Sequence, residues 1–234
     1  MMELNRAERT VRITGMELFE KISQFRVLVC GVGGVGGYAA EHLVRSGVEK
    51  LTLVDGDVVD ISNINRQIAA LDSTVGRGKC EVLKARFLEI NPGADIVCSN
   101  SFLKTRSDID LLLNEKFDFV IDAIDDVPAK IELIAACVEK NIPLISSMGA
   151  AGKYDISCIR VADISKTTDC PLARVVRKKL RERGINKGVL TVYSTEETLS
   201  SAVPGEKPGS LSHLVSSFGA YCAQEVLRFI RDNQ

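Results

Sequence analysis

Tryptophan is absent and aromatic residues make up only 5% of the chain. A recognition surface of stacked rings, as in many single-strand RNA binders, is therefore not expected. Histidine occurs twice, at His42 and His213, and neither stands beside a paired Cys or carboxylate motif, so neither is expected to act as ligand or base. The seven cysteines, at 30, 80, 98, 137, 158, 170 and 222, contain no CxxC pair. This argues against a four-cysteine zinc site and for reduced thiols in the cytoplasm. No basic segment followed by an apolar run opens the chain, and Ser216, Ser217, Gln224, Glu225 and Arg228 interrupt the late apolar stretch from Leu214 to Ile230. Neither secretion nor a membrane span is expected. Charge of one sign is lacking too: 30 Lys+Arg stand against 31 Asp+Glu, so contact with a nucleic acid must come from a local patch.

The 234 residues are 45% hydrophobic, enough for one domain with an appendage that buries roughly 70% of its unfolded surface. Arg26 to Cys30, Leu51 to Val54, Asp95 to Cys98, Phe119 to Ala123 and Leu144 to Ser146 read as strands buried on both faces. Helical patterns fall between them, at about 35–46, 76–90, 107–114 and 127–139. This alternation predicts an α/β fold with a Rossmann-like, doubly wound, mainly parallel sheet. After Gly149 the rhythm changes. Strand-like Ile159 to Ala162 and Leu190 to Tyr193 flank a helix from Pro171 to Arg183, and Gly184 follows its end. A flexible loop over 194–210, rich in Pro and Gly, precedes a closing amphipathic helix that runs to about Arg231.

Directly after the first strand comes Gly31-Val32-Gly33-Gly34-Val35-Gly36, a glycine loop that opens a helix. Its backbone can approach a phosphate while the helix N-terminus offers unpaired N–H groups. Asp55 lies 24 positions after Gly31, where an acidic residue meets a ribose hydroxyl. NAD, FAD and ATP sites all share these features. The next residues discriminate: Asp55-Gly-Asp57, then Ser62-Asn63-Ile64-Asn65-Arg66-Gln67, Lys79 at a helix start, and Asp122-Ala-Ile-Asp125 at the end of the fourth strand. Cleaving a triphosphate needs cations around the phosphates and a carboxylate for a metal, and hydride transfer does not. Taken singly, Arg66 and Lys79 also read as solvated charges, Asn63 as a turn residue and Asp125 as a helix cap.

Together these motifs resemble the ThiF/MoeB/HesA superfamily, which adenylates carboxylates with ATP and Mg2+ and includes the ubiquitin-activating enzymes. The resemblance implies that Gly31, Gly33, Gly34 and Gly36 hold the ATP phosphates and that Asp55, with Asp57 in the same motif, serves the nucleotide. It further implies that Asn63, Arg66 and Lys79 contact the phosphates and that Asp125 serves the metal. An N-terminal Arg of that family reaches across a dimer to the partner's ATP, and Arg9 is the best match, with Arg6 and Arg12 open. Residues 1–150 would form the adenylation domain and 151–234 a family-specific extension completing the same globular unit.

Ser147-Met-Gly149-Ala-Ala-Gly152-Lys153, Arg160-Val-Ala-Asp163, Pro171-Leu-Ala-Arg174 and Pro208-Gly209-Ser210 are similar to the tRNA threonylcarbamoyladenosine dehydratase branch. That likeness implies activation of the threonyl carboxylate of a modified adenosine beside the anticodon, followed by ring closure. It implies tRNA as partner and a homodimer, and it leaves a sulfur-relay protein partner open. Two other readings stand beside it: adenylation of the C-terminal glycine of a ubiquitin-like sulfur carrier, and an NAD-binding or redox-sensing module. From Arg174 to Lys187 the chain carries seven positive charges and one Glu. Leu172, Val175, Val176 and Leu180 are expected to pack inward, leaving Arg174, Arg177, Lys178 and Arg181 outward as a tRNA-phosphate face. Cys170, at that helix start, is the most plausible reactive thiol, whereas Cys30 and Cys98 are expected to be inert core thiols.

Overall fold

A single seven-stranded sheet organises the chain in the computed structural model, which describes residues 2–200, 206 and 208–233. The strands are β1 (Arg26–Cys30), β2 (Lys50–Val54), β3 (Asp95–Ser99), β4 (Phe119–Asp122), β5 (Leu144–Ser147), β6 (Ile159–Asp163) and β7 (Leu190–Ser194). They lie in the order β3-β2-β1-β4-β5-β7-β6, all parallel except β6, which pairs antiparallel with β7. Among the described residues seven α-helices accompany them: α1 (Leu4–Gln24), α2 (Gly36–Arg45), α3 (Lys79–Ile90), α4 (Arg106–Leu112), α5 (Val127–Glu139), α6 (Pro171–Glu182) and α7 (Ser212–Asp232).

The alternation of side chains along β1 divides the core in two. Val27 and Val29 pack with Leu43, Leu83, Phe218 and Val226 on one face of the sheet. Leu28 and Cys30 pack with Ile109, Leu133, Ile134, Val176 and Leu180 on the other. Both faces are thus covered by helices, which is why the central strands read as continuous apolar runs. β1 pairs with β2 on one side and β4 on the other, so the connections leaving its two neighbours diverge. A crevice opens there, at the carboxyl edge of the strands.

Local chemistry sets the helix starts. The Asp126 side chain accepts from Ala129 N (2.9 Å) and caps α5, while Thr105 caps α4 by accepting from Asp108 N (3.2 Å). Pro171 occupies the first turn of α6, where its missing N–H costs nothing.

One helix is added to the expected set and two expectations are corrected. The first helix, α1, carries a break at Gly15 and is not among the elements expected from the sequence. Strand β3 is not buried on both faces: it is an edge strand of the sheet, and Val97 is 46% exposed while Ile96 packs inward. Of the loop expected over 194–210, Ser194 ends β7, and 201–205 and 207, including Pro204 and Gly205, lie outside the described residues.

Candidate active site

The crevice holds a cavity of about 1040 Å³. Its floor is the glycine loop. Gly31 has φ +82°, and a Cβ there would lie 2.7 Å from the Ala123 carbonyl oxygen. A Cβ on Gly36 would lie only 1.9 Å from the Gly31 carbonyl oxygen, so no side chain fits where the loop turns into α2. The Asp55 carboxylate follows β2 and fastens the loop: Oδ2 accepts from Val32 N (2.8 Å) and Oδ1 from Asp57 N (2.9 Å). Each oxygen keeps a second lone pair, so ribose hydroxyls can still donate to it.

The polar side wall is built by the segment after β2. Asp60 and Asn63 form a reciprocal cap on the short turn Ile61–Asn63: Asp60 Oδ1 accepts from Ser62 N (2.8 Å), and Asn63 Oδ1 accepts from Asp60 N (3.2 Å). This holds Asn63 buried and sets Arg66 one turn on. The Arg66 guanidinium donates to Ser62 O (2.8 Å) and Asn65 Oδ1 (2.9 Å), and among the described residues it forms no ion pair. Lys79 is the first residue of α3 and is 5% exposed; its ammonium donates to Asp57 Oδ2 at 2.7 Å. The cavity therefore presents Arg66 and Lys104, neither in an ion pair among the described residues, and Lys79 with a half-exposed, exchangeable counter-ion.

Asp125 is exposed on the turn between β4 and α5 and lines the cavity. Because Asp126 is the cap of α5, the helix-cap alternative for Asp125 does not apply. Gly31, Gly33, Gly34, Asp55, Asp57, Asn63, Arg66, Lys79 and Asp125 thus meet in one cavity, and Gly36 closes the turn beneath it. Its opposite wall is apolar, formed by Met148 to Ala151 and Leu172.

Two features escaped the sequence reading. Gln67 stands over Gly33 with its Oε1 buried and unpartnered among the described residues. Beneath the cavity, Lys130 and Asp122 form a fully buried ion pair at 2.8 Å. The only signal for the pair was a lone Lys in the apolar run of α5.

Not every expected residue lies here. Arg9 is exposed on α1 and does not line the cavity. Arg6 donates to the Glu89 and Ile90 carbonyls and Arg12 pairs with Glu8, whereas Arg9 has no such partner among the described residues. On α6 the buried stripe is Ala173, Val176 and Leu180, and Val175 is 46% exposed, contrary to expectation. Arg177 is half-buried rather than outward: it donates to the Thr167 carbonyl (2.8 Å) and braces the preceding turn. Arg174, Lys178 and Arg181 are exposed as expected, and the helix starts at the cavity rim, where Leu172 lines the wall.

Burial pushes the Cys80, Cys137 and Cys222 thiols up to about 12 and also raises the Cys30 thiol well above its ordinary value. Cys98, half-buried on the edge strand β3 rather than in the core, is pushed up to about 11, again by burial. Cys170 is 3% exposed and sits among the core residues of the second face, so it offers no open nucleophile. His42 is exposed, and a His213 ring nitrogen lies 2.9 Å from the Tyr154 carbonyl oxygen.

The ThiF family model matches residues 5–234. The tRNA threonylcarbamoyladenosine dehydratase of Bacillus subtilis is 46% identical over 196 residues, 84% of this chain and 77% of that protein. Its Escherichia coli counterpart is 39% identical over 194 residues, 80% of this chain and 72% of that protein. The crystal structure of the E. coli enzyme TcdA in complex with ATP matches with a TM-score of 0.93 at 34% identity, over 98% of this chain and 95% of that one. With a glycine loop, cationic wall and sheet of this order, matched along nearly its entire length, the chain belongs to the ThiF family.

Proposed function

We propose that this chain is an ATP-dependent tRNA threonylcarbamoyladenosine dehydratase. The observation that carries the reading is the full-length likeness to an ATP-bound enzyme of that activity, with the glycine loop, Arg66, Lys79 and Asp125 in one cavity. A carboxylate is a poor acyl donor because its leaving group would be oxide. In the proposed reaction a threonyl carboxylate oxygen attacks the α-phosphorus of ATP and pyrophosphate departs. An internal nucleophile of the substrate then attacks the acyl carbon, and AMP departs with the former carboxylate oxygen. The substrate loses one water in total.

Two anions must meet for the first step, and this chain's residues lower that barrier. Arg66 and Lys79 neutralise the phosphates, and the N–H groups at the start of α2 receive phosphate oxygens. Asp57 holds the Lys79 ammonium in place until ATP arrives. The apolar wall at Met148 to Ala151 excludes water from the acyl-adenylate. Mg2+ fits this site: the Asp125 carboxylate faces the cavity and has no hydrogen-bond partner among the described residues. No group of three His, Cys, Asp or Glu side chains suited to a metal occurs among them either, so the phosphates would supply its remaining oxygen ligands. When bound, the ion would offset charge on the departing pyrophosphate.

The reading includes a cytoplasmic homodimer in which Arg9 enters the partner's phosphate cavity. Its support is that Arg9 alone of the three N-terminal candidates is uncommitted, and that Val58 and Ile61 leave exposed apolar surface beside Asn63. The exposed cations Arg174, Lys178 and Arg181 would hold tRNA phosphates next to the cavity mouth. Incubating the protein with ATP, Mg2+ and tRNA bearing threonylcarbamoyladenosine, then digesting and weighing the nucleosides, tests the proposal. A nucleoside lighter by one water, with AMP and pyrophosphate released, is expected. An unchanged nucleoside beside pyrophosphate exchange stimulated by a ubiquitin-like sulfur carrier would overturn it.

A further inference from the structure

Lys130 and Asp122 are each 0% exposed, deep between β4, β5 and α5, and neither lines the cavity. All three protons of the ammonium have acceptors: Asp122 Oδ2 (2.8 Å), the Ser147 carbonyl (3.0 Å) and Ser146 Oγ (3.3 Å). Ser146 Oγ donates in turn to Asp122 Oδ2 (2.6 Å), and Asp122 Oδ1 accepts from Ile124 N (3.1 Å). Replacing such a pair by apolar side chains of equal volume is often neutral or stabilising, so core stability alone does not account for it. What the charged pair supplies is direction.

That direction joins the two walls of the cavity. Asp122 ends β4 and, through Ile124 N, shapes the turn that presents Asp125. The same turn places Ala123 against Gly31, where the glycine loop begins. Lys130 reaches from α5 to the Ser147 carbonyl, the last residue of β5, from which Met148 to Ala151 continue as the apolar wall. One ammonium thus ties the carboxylate turn to the opposite wall.

We propose that Lys130 and Asp122, with Ser146, are positioning residues for adenylation: they set the distance between Asp125 and the wall against which the substrate carboxylate lies. The inference rests on the proposed function. Nucleotide affinity comes from the glycine loop and the cations of the β2–α3 segment, so the pair governs turnover rather than ATP binding.

Two variants test it, Ser146→Ala and the charge-neutral double substitution Lys130→Met with Asp122→Asn. Melting curves, ATP Kd by calorimetry, and kcat of dehydration per ATP-binding site are measured for each beside the wild-type chain. Ser146→Ala keeps the ion pair and covers the case in which the double variant does not fold. The expected result is an ATP Kd within about threefold of wild type and a kcat lowered about tenfold or more, the scale of a sub-ångström misplacement. A kcat per site within twofold of wild type in Ser146→Ala would overturn the inference. So would a parallel loss of ATP affinity and kcat, which marks a brace for the whole cavity. A wild-type chain that binds ATP but never dehydrates tRNA would overturn the proposed function and this inference with it.

Discussion

Removing either half of the Lys79–Asp57 pair should have opposite consequences, because the halves differ in burial. Lys79 is 5% exposed, whereas about half of the Asp57 side chain is open to water, and 2.7 Å separates their charges. In Lys79→Met the methylenes keep their packing and Asp57 rehydrates, so stability should fall by only about 0–1 kcal/mol, as for an exposed pair. Adenylation should nonetheless slow by about 10²–10³, the cost of one preorganised donor. In Asp57→Asn the buried ammonium loses its counter-ion, and stability should fall further, by about 1.5–3 kcal/mol, the range for hydrogen bonds to charged groups. ATP restores an anion beside Lys79 in that variant. Its affinity should therefore rise about tenfold or more, since each 1.4 kcal/mol recovered on binding is a factor of ten. Melting temperatures with and without ATP, nucleotide calorimetry and pyrophosphate release read all three quantities. The reasoning is refuted if Lys79→Met melts below Asp57→Asn, or if Asp57→Asn binds ATP more weakly than the wild-type chain.

Arg66→Ala and Asp125→Ala each alter a group at the open cavity and should abolish adenylation while shifting stability by no more than about 0.5 kcal/mol; normal ATP–pyrophosphate exchange in either would remove that residue from the site. Mixing Arg9→Ala chains with Arg66→Ala chains should restore about a quarter of wild-type turnover, because half of the random dimers would then carry one complete site. Continued inactivity of the mixture would exclude an Arg9 acting across subunits. Charge reversal at Arg174 and Lys178 should weaken tRNA binding and reduce the salt slope by about one per lost phosphate contact, and an unchanged slope would rule out α6 as the interface. Burial acts to raise the Glu41 carboxyl, yet its hydrogen bonds with Arg86 and Arg45 outweigh that and leave it below the ordinary 4.5. Its contribution is present above pH 4.5 and disappears as pH falls through the depressed value, so Glu41→Gln should flatten the acid limb of the stability profile. An identical acid limb in the variant would contradict this.

The glycine loop and the parallel sheet were legible in the residues themselves. Central strands buried on both faces must be apolar throughout, and a backbone that turns with no room for a Cβ must use glycine, so RVLVC followed by GVGGVG leaves few alternatives. Asn63, Arg66, Lys79 and Asp125 were legible as a set, because cations and a carboxylate at the ends of parallel strands converge on one edge. Tertiary structure alone decided the rest. That Asp126 rather than Asp125 caps α5 depends on where the helix begins, a matter of one residue that periodicity does not resolve. Arg177 and Val175 exchanged faces because the packing of α6 against the sheet rotated its stripe toward Ala173, Val176 and Leu180. The Lys130–Asp122–Ser146 cluster joins residues 8 to 24 positions apart, and beyond the lone Lys in α5 nothing in the chain signals such a junction until β4 and β5 pair and bury it. Local patterns specify which elements form, whereas buried charges find their partners only through the packing of those elements.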